Sequence, residues 1–286
     1  MNRRMIALLL AALFLLCLPG CAKKEYSEGK PKTDLLATTQ PVYQLTCALT
    51  DGTGLSVGLL ISESVSCLHD YTLTVSQMEM IEQSGLVLES GLGLENFMED
   101  VLRGKTRIDI SRNLDTLPGE DGADPHWWLD PMRYKQAAEL AAQELGAQYP
   151  EFADQISENL AAFCEKLSSL QDYGEQALSD LSCRQLVTFH DGFSYFADAF
   201  SLTIAAAMEV ESGSEPSAKE LEEIISIVEE NQIPAVFTEV NGETGAAEVV
   251  AGEAGCAVRT LDMAISNRDY FAAMRQNIDI VKEALG

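Results

Sequence analysis

The sequence predicts an α/β protein of two doubly wound lobes, each on a mainly parallel sheet, joined by one long rigid helix. Three observations carry that expectation. Short apolar runs alternate with helix-period segments along most of the chain, the pattern of helices covering a parallel sheet. One uninterrupted helical stretch, residues 151–181, breaks the alternation. The 286 residues are 47% hydrophobic and 22% charged, which is enough for a large buried core and too apolar for a disordered or low-complexity chain.

Residues 1–20 read as a signal segment. Arg3 and Arg4 precede an apolar run over residues 5–18, too short to span a bilayer. The run ends in Leu18-Pro-Gly-Cys21, which looks like a lipoprotein processing site with Cys21 as the lipidated first mature residue. An ordinary signal peptide with an incidental cysteine is the alternative. Residues 21–40 are polar and read as a lipid-anchored tether, so folded sequence is expected from Pro41.

The first lobe is placed at residues 41–150. Residues 42–49 and 55–61 read as strands. A helix follows Thr74 and Ser76, both suitable N-caps. Residues 86–88 read as a strand, and residues 94–102 as a helix after the Gly91 and Gly93 turn. Asp130 and Pro131 read as the N-cap and first residue of a helix to about residue 145. The connector is placed at residues 151–182. There Phe152, Ile156, Leu160, Phe163, Leu167, Leu170, Leu178 and Leu181 recur at helical spacing. About 30 residues at ~1.5 Å each make about 45 Å of helix, with Gly174 its one weak point.

The second lobe is placed at residues 183–286. Strands are expected at 185–189, 203–208, 235–238 and 258–261. Helices are expected at 193–200, after the Ser217/Glu220 capping box to about 231, before a stop at Gly255, and at 268–285. Ligands of open parallel sheets bind beyond the carboxyl ends of the strands, so two facing lobes define a cleft.

Charge narrows the function classes. Lys and Arg number 19 against 45 Asp and Glu, a net charge of −26. Loss of residues 1–20 removes two arginines and no acid. So acidic a surface repels phosphate backbones and anionic lipid, which excludes nucleic acid and requires the lipid for membrane attachment. After Cys17 and Cys21, five cysteines remain: Cys47, Cys67, Cys164, Cys183 and Cys256. Their spacing matches no zinc ribbon or C-x-x-C pair. They read mainly as buried small hydrophobes, with at most two disulfides.

The three histidines, His69, His126 and His190, each lie within two positions of an aspartate. Two fall in the first lobe and one follows a second-lobe strand, so the set could close a site across the cleft. Neutral imidazole suits zinc and related divalent ions. Local packing is the bland alternative, and spacing alone does not decide between them.

Asp124-Pro-His-Trp-Trp-Leu-Asp-Pro131 resembles the D-P-H-x-W-L-D-P motif of the zinc and manganese ABC-transporter solute-binding lipoproteins, the cluster A-I or family 9 group. Leu68-His-Asp-Tyr71, Gly91-Leu-Gly-Leu-Glu95, Phe189-His-Asp-Gly-Phe-Ser-Tyr-Phe196, Glu215-Pro-Ser-Ala-Lys-Glu-Leu221, Val236-Phe-Thr-Glu239 and Leu261-Asp262 are similar to that family's other segments, in order. The resemblance spans residues 41–286. It implies His69, His126, His190 and Asp262 as the metal ligands, with His190 pointing to Zn2+ over Mn2+. It implies a second-shell or cleft role for Glu239, while Asp130 is read as a helix cap, with a second-shell place as the alternative, rather than a ligand. It also implies an extracytoplasmic, lipid-anchored receptor at the outer face of the bacterial membrane or in the periplasm. The expected partner is an ABC permease, and the receptor is expected to be a monomer and not an enzyme. Three departures stand out. Residues 107–123 form a short segment without the family's His-rich loop. Leu68 stands where proline is common, and Cys67 could compete as a soft ligand.

A zinc hydrolase with three histidines and an open coordination position is the rival of a different class. Glu239 would be its base, although no H-E-x-x-H or nucleophile-elbow motif is present. Binding of manganese or iron on the same fold, or a surface adhesin, are further alternatives.

Overall fold

The computed structural model describes residues 33–62, 71–119, 122–208 and 216–286. The signal segment, Cys21, Cys67 and His69 lie outside the described residues.

Two four-stranded parallel sheets organise the chain. In the first, β1 (Thr33–Ala37), β2 (Val57–Leu59), β3 (Ser84–Glu89) and β4 (Arg107–Asp109) lie in the order β2-β1-β3-β4. A short antiparallel pair follows, β5 (Pro118–Gly119) and β6 (Gly122–Ala123). In the second sheet, β7 (Gln185–Thr188), β8 (Thr203–Ala207), β9 (Ala235–Glu239) and β10 (Ala257–Leu261) lie in the order β10-β9-β7-β8. Parallel neighbours need crossover connections, and helices supply them throughout.

Two expectations at the start of the fold are corrected. Thr33–Ala37 is a central strand, not tether, and Leu35, Leu36 and Ala37 are fully buried. Residues 42–49 are not a strand but most of helix α1 (Gln40–Leu49). Its buried positions Val42, Leu45, Thr46 and Leu49 fall on one helical face, and Pro41 sits in the first turn, where its missing N–H costs nothing.

The remaining helices are α2 (Val75–Gln83), α3 (Glu99–Leu102), α4 (Pro131–Gln148), α5 (Ala153–Ala177), α6 (Ser194–Ala199), α7 (Ala218–Glu230), α8 (Gly245–Ala254) and α9 (Tyr270–Leu285). Several begin as their sequence dictates. Thr74 and Gln77 form a capping box on α2, and Ser217 and Glu220 one on α7. Gly255 ends α8 at φ +69°, the left-handed conformation glycine adopts without a Cβ penalty. The expected helix at 94–102 is shorter, a 3-10 turn at Asn96–Met98 leading into the one-turn α3.

The expected connector is α5, 25 residues preceded by a 3-10 turn at Pro150–Phe152. At ~1.5 Å per residue it runs about 37 Å. It packs on α1 and α4 and also on α9. Phe163 marks the junction: its ring meets Tyr134 of α4 and Phe271 of α9 edge-on, each at 5.6 Å. One hydrophobic core draws residues from both sheets, Leu35, Leu88 and Ile108 with Leu186, Phe237 and Leu261. Cys47, Cys164, Cys183 and Cys256 are free thiols, each half-buried rather than buried. No helix among the described residues is long and apolar enough to cross a membrane.

Candidate metal centre

The carboxyl ends of the second sheet gather three of the expected residues. His190 follows β7 and Glu239 is the last residue of β9. Asp262 follows β10, whose Leu261 is in register with Glu239. The first half contributes His126 from the turn between β6 and a 3-10 turn at Trp127–Leu129. His126 and His190 are each 9% exposed, and their rings meet edge-on at 5.3 Å between centroids.

Each histidine presents a nitrogen for a reason the local structure supplies. Asp124 Oδ1 accepts from the His126 amide at 2.9 Å and pairs with its Nδ1 at 2.8 Å. A carboxylate only accepts, so Nδ1 carries the proton and Nε2 is left as the coordinating atom. Pro125 stiffens the turn that makes this contact. Tyr195 of α6 holds Asp124 from the other half. Its hydroxyl donates to the Asp124 carbonyl at 2.9 Å and accepts from the Leu117 amide at 3.0 Å. His190 Nε2 is buried with no hydrogen-bond partner. Burial, and after it the neighbouring His126 ring, push His190 down to about 4 against the pull of Asp124. The ring is therefore neutral, the form that binds metals.

Gly192 makes room for that nitrogen. A Cβ there would lie 2.5 Å from Met263 Cε, 2.7 Å from His190 Cδ2 and 2.9 Å from His190 Nε2. Trp128 closes another side, its ring 5.5 Å from His126 and its indole N–H donated to the Met263 carbonyl at 2.8 Å.

Asp262 is buried, and its Oδ1 accepts from the Ala264 amide at 2.8 Å. Asn277 brackets its backbone, accepting from the Asp262 N–H and donating to its carbonyl. Glu239 is buried, with Gly242 so close that a Cβ there would lie 2.6 Å from its Cγ. Asp130 caps α4, its Oδ1 accepting from the Met132 and Arg133 amides and its Oδ2 pairing with Arg133. Among the described residues, no three His, Cys, Asp or Glu side chains form a group that could hold a metal ion. The structure thus brings His126 and His190 together and places Asp262 on the edge of the sheet that carries His190. Asp124, Tyr195, Gly192 and Met263 were not singled out as site residues from sequence. The two-residue spacing of Asp124 and His126 was the one available signal.

Comparison with known proteins bears on the fold and the family. Residues 35–284 match the family model described as zinc-uptake complex component A, periplasmic. The chain is 28% identical to the zinc-binding lipoprotein AdcA of Streptococcus pneumoniae, over 97% of this chain and 60% of that one. It therefore spans about three fifths of the length of that relative. It is 25% identical to the manganese-binding lipoprotein MntA of Halalkalibacterium halodurans over 65% of each chain. A crystal structure of a ZnuA deletion mutant with zinc bound superposes with a TM-score of 0.79 at 30% identity, covering 89% of this chain and 98% of that one.

Proposed function

The chain belongs to the zinc-uptake complex component A periplasmic family, and from that premise we propose that it captures Zn2+ outside the cytoplasm and delivers it to an ABC import permease. One observation carries this reading: two buried imidazoles meet across the two halves, one with its Nε2 freed by Asp124 and the other with its Nε2 buried and unpartnered. A neutral imidazole nitrogen at the end of a parallel strand suits a borderline divalent cation, and a second imidazole beside it suits zinc more than a harder ion. AdcA is named for zinc binding and the ZnuA mutant carries zinc, which supports the choice of ion.

In this proposal His126, His190, His69 and Asp262 hold the ion, with Asp124 orienting His126. Four protein ligands complete a tetrahedral zinc sphere and leave no bound water to activate, so the site captures rather than turns over. Cys21 would carry the lipid that holds the receptor at the membrane, as the name of the AdcA lipoprotein suggests. MntA, named for manganese, favours the same receptor role with a different ion.

Competitive titration of the full chain, stripped with a chelator under denaturing conditions and refolded, tests the proposal. Stoichiometric zinc binding, much tighter than manganese, is the expected result. Manganese preference would transfer the receptor role to that ion. No tight binding of either would overturn the capture reading and leave only the fold in common with the family.

A further inference from the structure

We infer that Met263 is a specificity-determining residue of this site: its side chain walls His190 Nε2 with apolar surface and keeps the captured ion at a low coordination number. The inference rests on the metal-capture reading and adds to it the group that selects among ions.

The placement is specific. Met263 follows Asp262 beyond β10 and is 3% exposed. Its methyl and His190 Nε2 converge on the missing Cβ of Gly192, at 2.5 and 2.9 Å from that position. Any residue larger than glycine at 192 would drive the methyl and the ring apart. The Met263 backbone is fixed in turn, because its carbonyl receives the Trp128 indole N–H at 2.8 Å. Trp128 lies edge-on to His126, and His126 edge-on to His190. The ring contacts thus run from His190 through His126 to Trp128 and on to the Met263 backbone, and the Met263 methyl and His190 Nε2 both border the Gly192 position. The buried ring nitrogen among these residues that lacks a partner, His190 Nε2, shares the space at Gly192 with a thioether methyl.

The chemical consequence follows from what a metal-bound water needs. Zinc is satisfied by four protein donors. Manganese and magnesium favour oxygen donors in six-coordinate shells, and magnesium keeps several waters. A water placed against a methyl group has no acceptor for its hydrogens, and a buried polar group left unsatisfied is costly. The wall therefore penalises hydrated, six-coordinate ions and leaves a four-coordinate ion untouched. Methionine also fills irregular space without demanding a fixed shape, so the wall can follow the ring as the ion enters.

The test uses the full chain, stripped and reloaded, with two variants. Met263→Ala removes the wall; Met263→Leu keeps apolar bulk and removes the sulfur. Zinc is read by competition, manganese by direct titration, and geometry by the visible absorption of bound Co2+, which is intense when tetrahedral and weak when octahedral. The wild type should give the intense spectrum. In Met263→Ala the zinc-to-manganese affinity ratio should fall about tenfold or more and the Co2+ bands should weaken. Met263→Leu should keep both the ratio and the spectrum. A wild-type ratio and spectrum in Met263→Ala would overturn the inference while capture stood. Loss of the ratio in Met263→Leu, with circular dichroism showing a folded chain, would assign selection to the sulfur and overturn the wall. A wild type that binds neither zinc nor manganese would overturn the capture reading and the wall together.

Discussion

The Asp124–His126 pair has a measurable consequence. The carboxylate fixes the tautomer and the ring plane through a 2.8 Å contact, and partners of this kind are worth about 10–100-fold in metal affinity. Asp124→Asn should therefore weaken zinc binding by about that factor in competition titration and leave the circular dichroism unchanged, while His126→Ala should cost more. An unaltered zinc affinity in Asp124→Asn would remove the aspartate from the site. His190 makes a prediction about pH. Its native value is near 4 against an ordinary 6.5, so the unfolded chain takes up a proton that the folded one refuses. The His190 share of stability in the stripped protein should therefore be complete above about pH 6.5 and fall by up to about 3 kcal/mol as pH drops toward 4, while buried Glu95, pushed up to about 7, acts in the opposite sense over the same window. Denaturant titrations at pH 7 and 4.5, compared between wild type and His190→Gln, isolate that share: the variant should lack the His190 contribution to the change between the two pH values. The histidines were legible from sequence because they are few and each stands beside an aspartate. Met263 and Gly192 were not, because their role lies in one crowded point between two chain segments that no local pattern announces.

Helices whose ends carry strong local signals are legible in the sequence, and the ambiguous segment 42–49 is not. Capping boxes at Thr74 and Ser217 and the Asp130-Pro131 start each fix a helix end by a hydrogen bond the sequence already contains. By contrast, residues 42–49 carry β-branched and aromatic side chains that suggest a strand, while their buried positions at 42, 45, 46 and 49 follow the helical period. Tertiary burial decided the outcome, as it does when propensity and period disagree. Thr33–Ala37 was missed because five residues beside a polar tether give too short a pattern to separate from it. Gly174 shows the same limit in the other direction. Within α5 a glycine is a local weakness worth about 1 kcal/mol, yet a Cβ there would lie 2.1 Å from Phe200 Cε1 and 2.7 Å from Cζ. Phe200 is buried and meets Phe196 edge-on at 5.0 Å, so it has little freedom to yield. Overpacking typically costs about 1–3 kcal/mol, so Gly174→Ala should lower the melting temperature despite its better helix propensity. A higher melting temperature would show that the aromatic pair can shift.

The two sheets share one core rather than meeting across an open hinge. Leu35 and Leu261 belong to the same buried cluster, and α5 rests on helices of both halves through Phe163. Polar contacts cross the same boundary. Tyr270 donates to the Trp128 carbonyl, Tyr195 to the Asp124 carbonyl, and Gln44 is bonded at both ends to the segment at Arg268 and Tyr270. Rigid-body opening would expose apolar surface at about 25 cal/mol per Å2 and strip these bonds together, and an entering ion has no reason to supply that work when the imidazoles already face each other. Metal capture should then proceed by local rearrangement around His190 and His126, unlike receptors that close about a flexible hinge. Small-angle scattering of the stripped and zinc-loaded chain measures this directly: the radius of gyration should agree within experimental error, while zinc at a hundredfold excess over its dissociation constant raises stability by about 2.7 kcal/mol. The paired measurement separates the alternatives. A stability gain with an unchanged radius places the binding energy in the site, and a contraction on loading would mean that the shared core opens in the absence of metal.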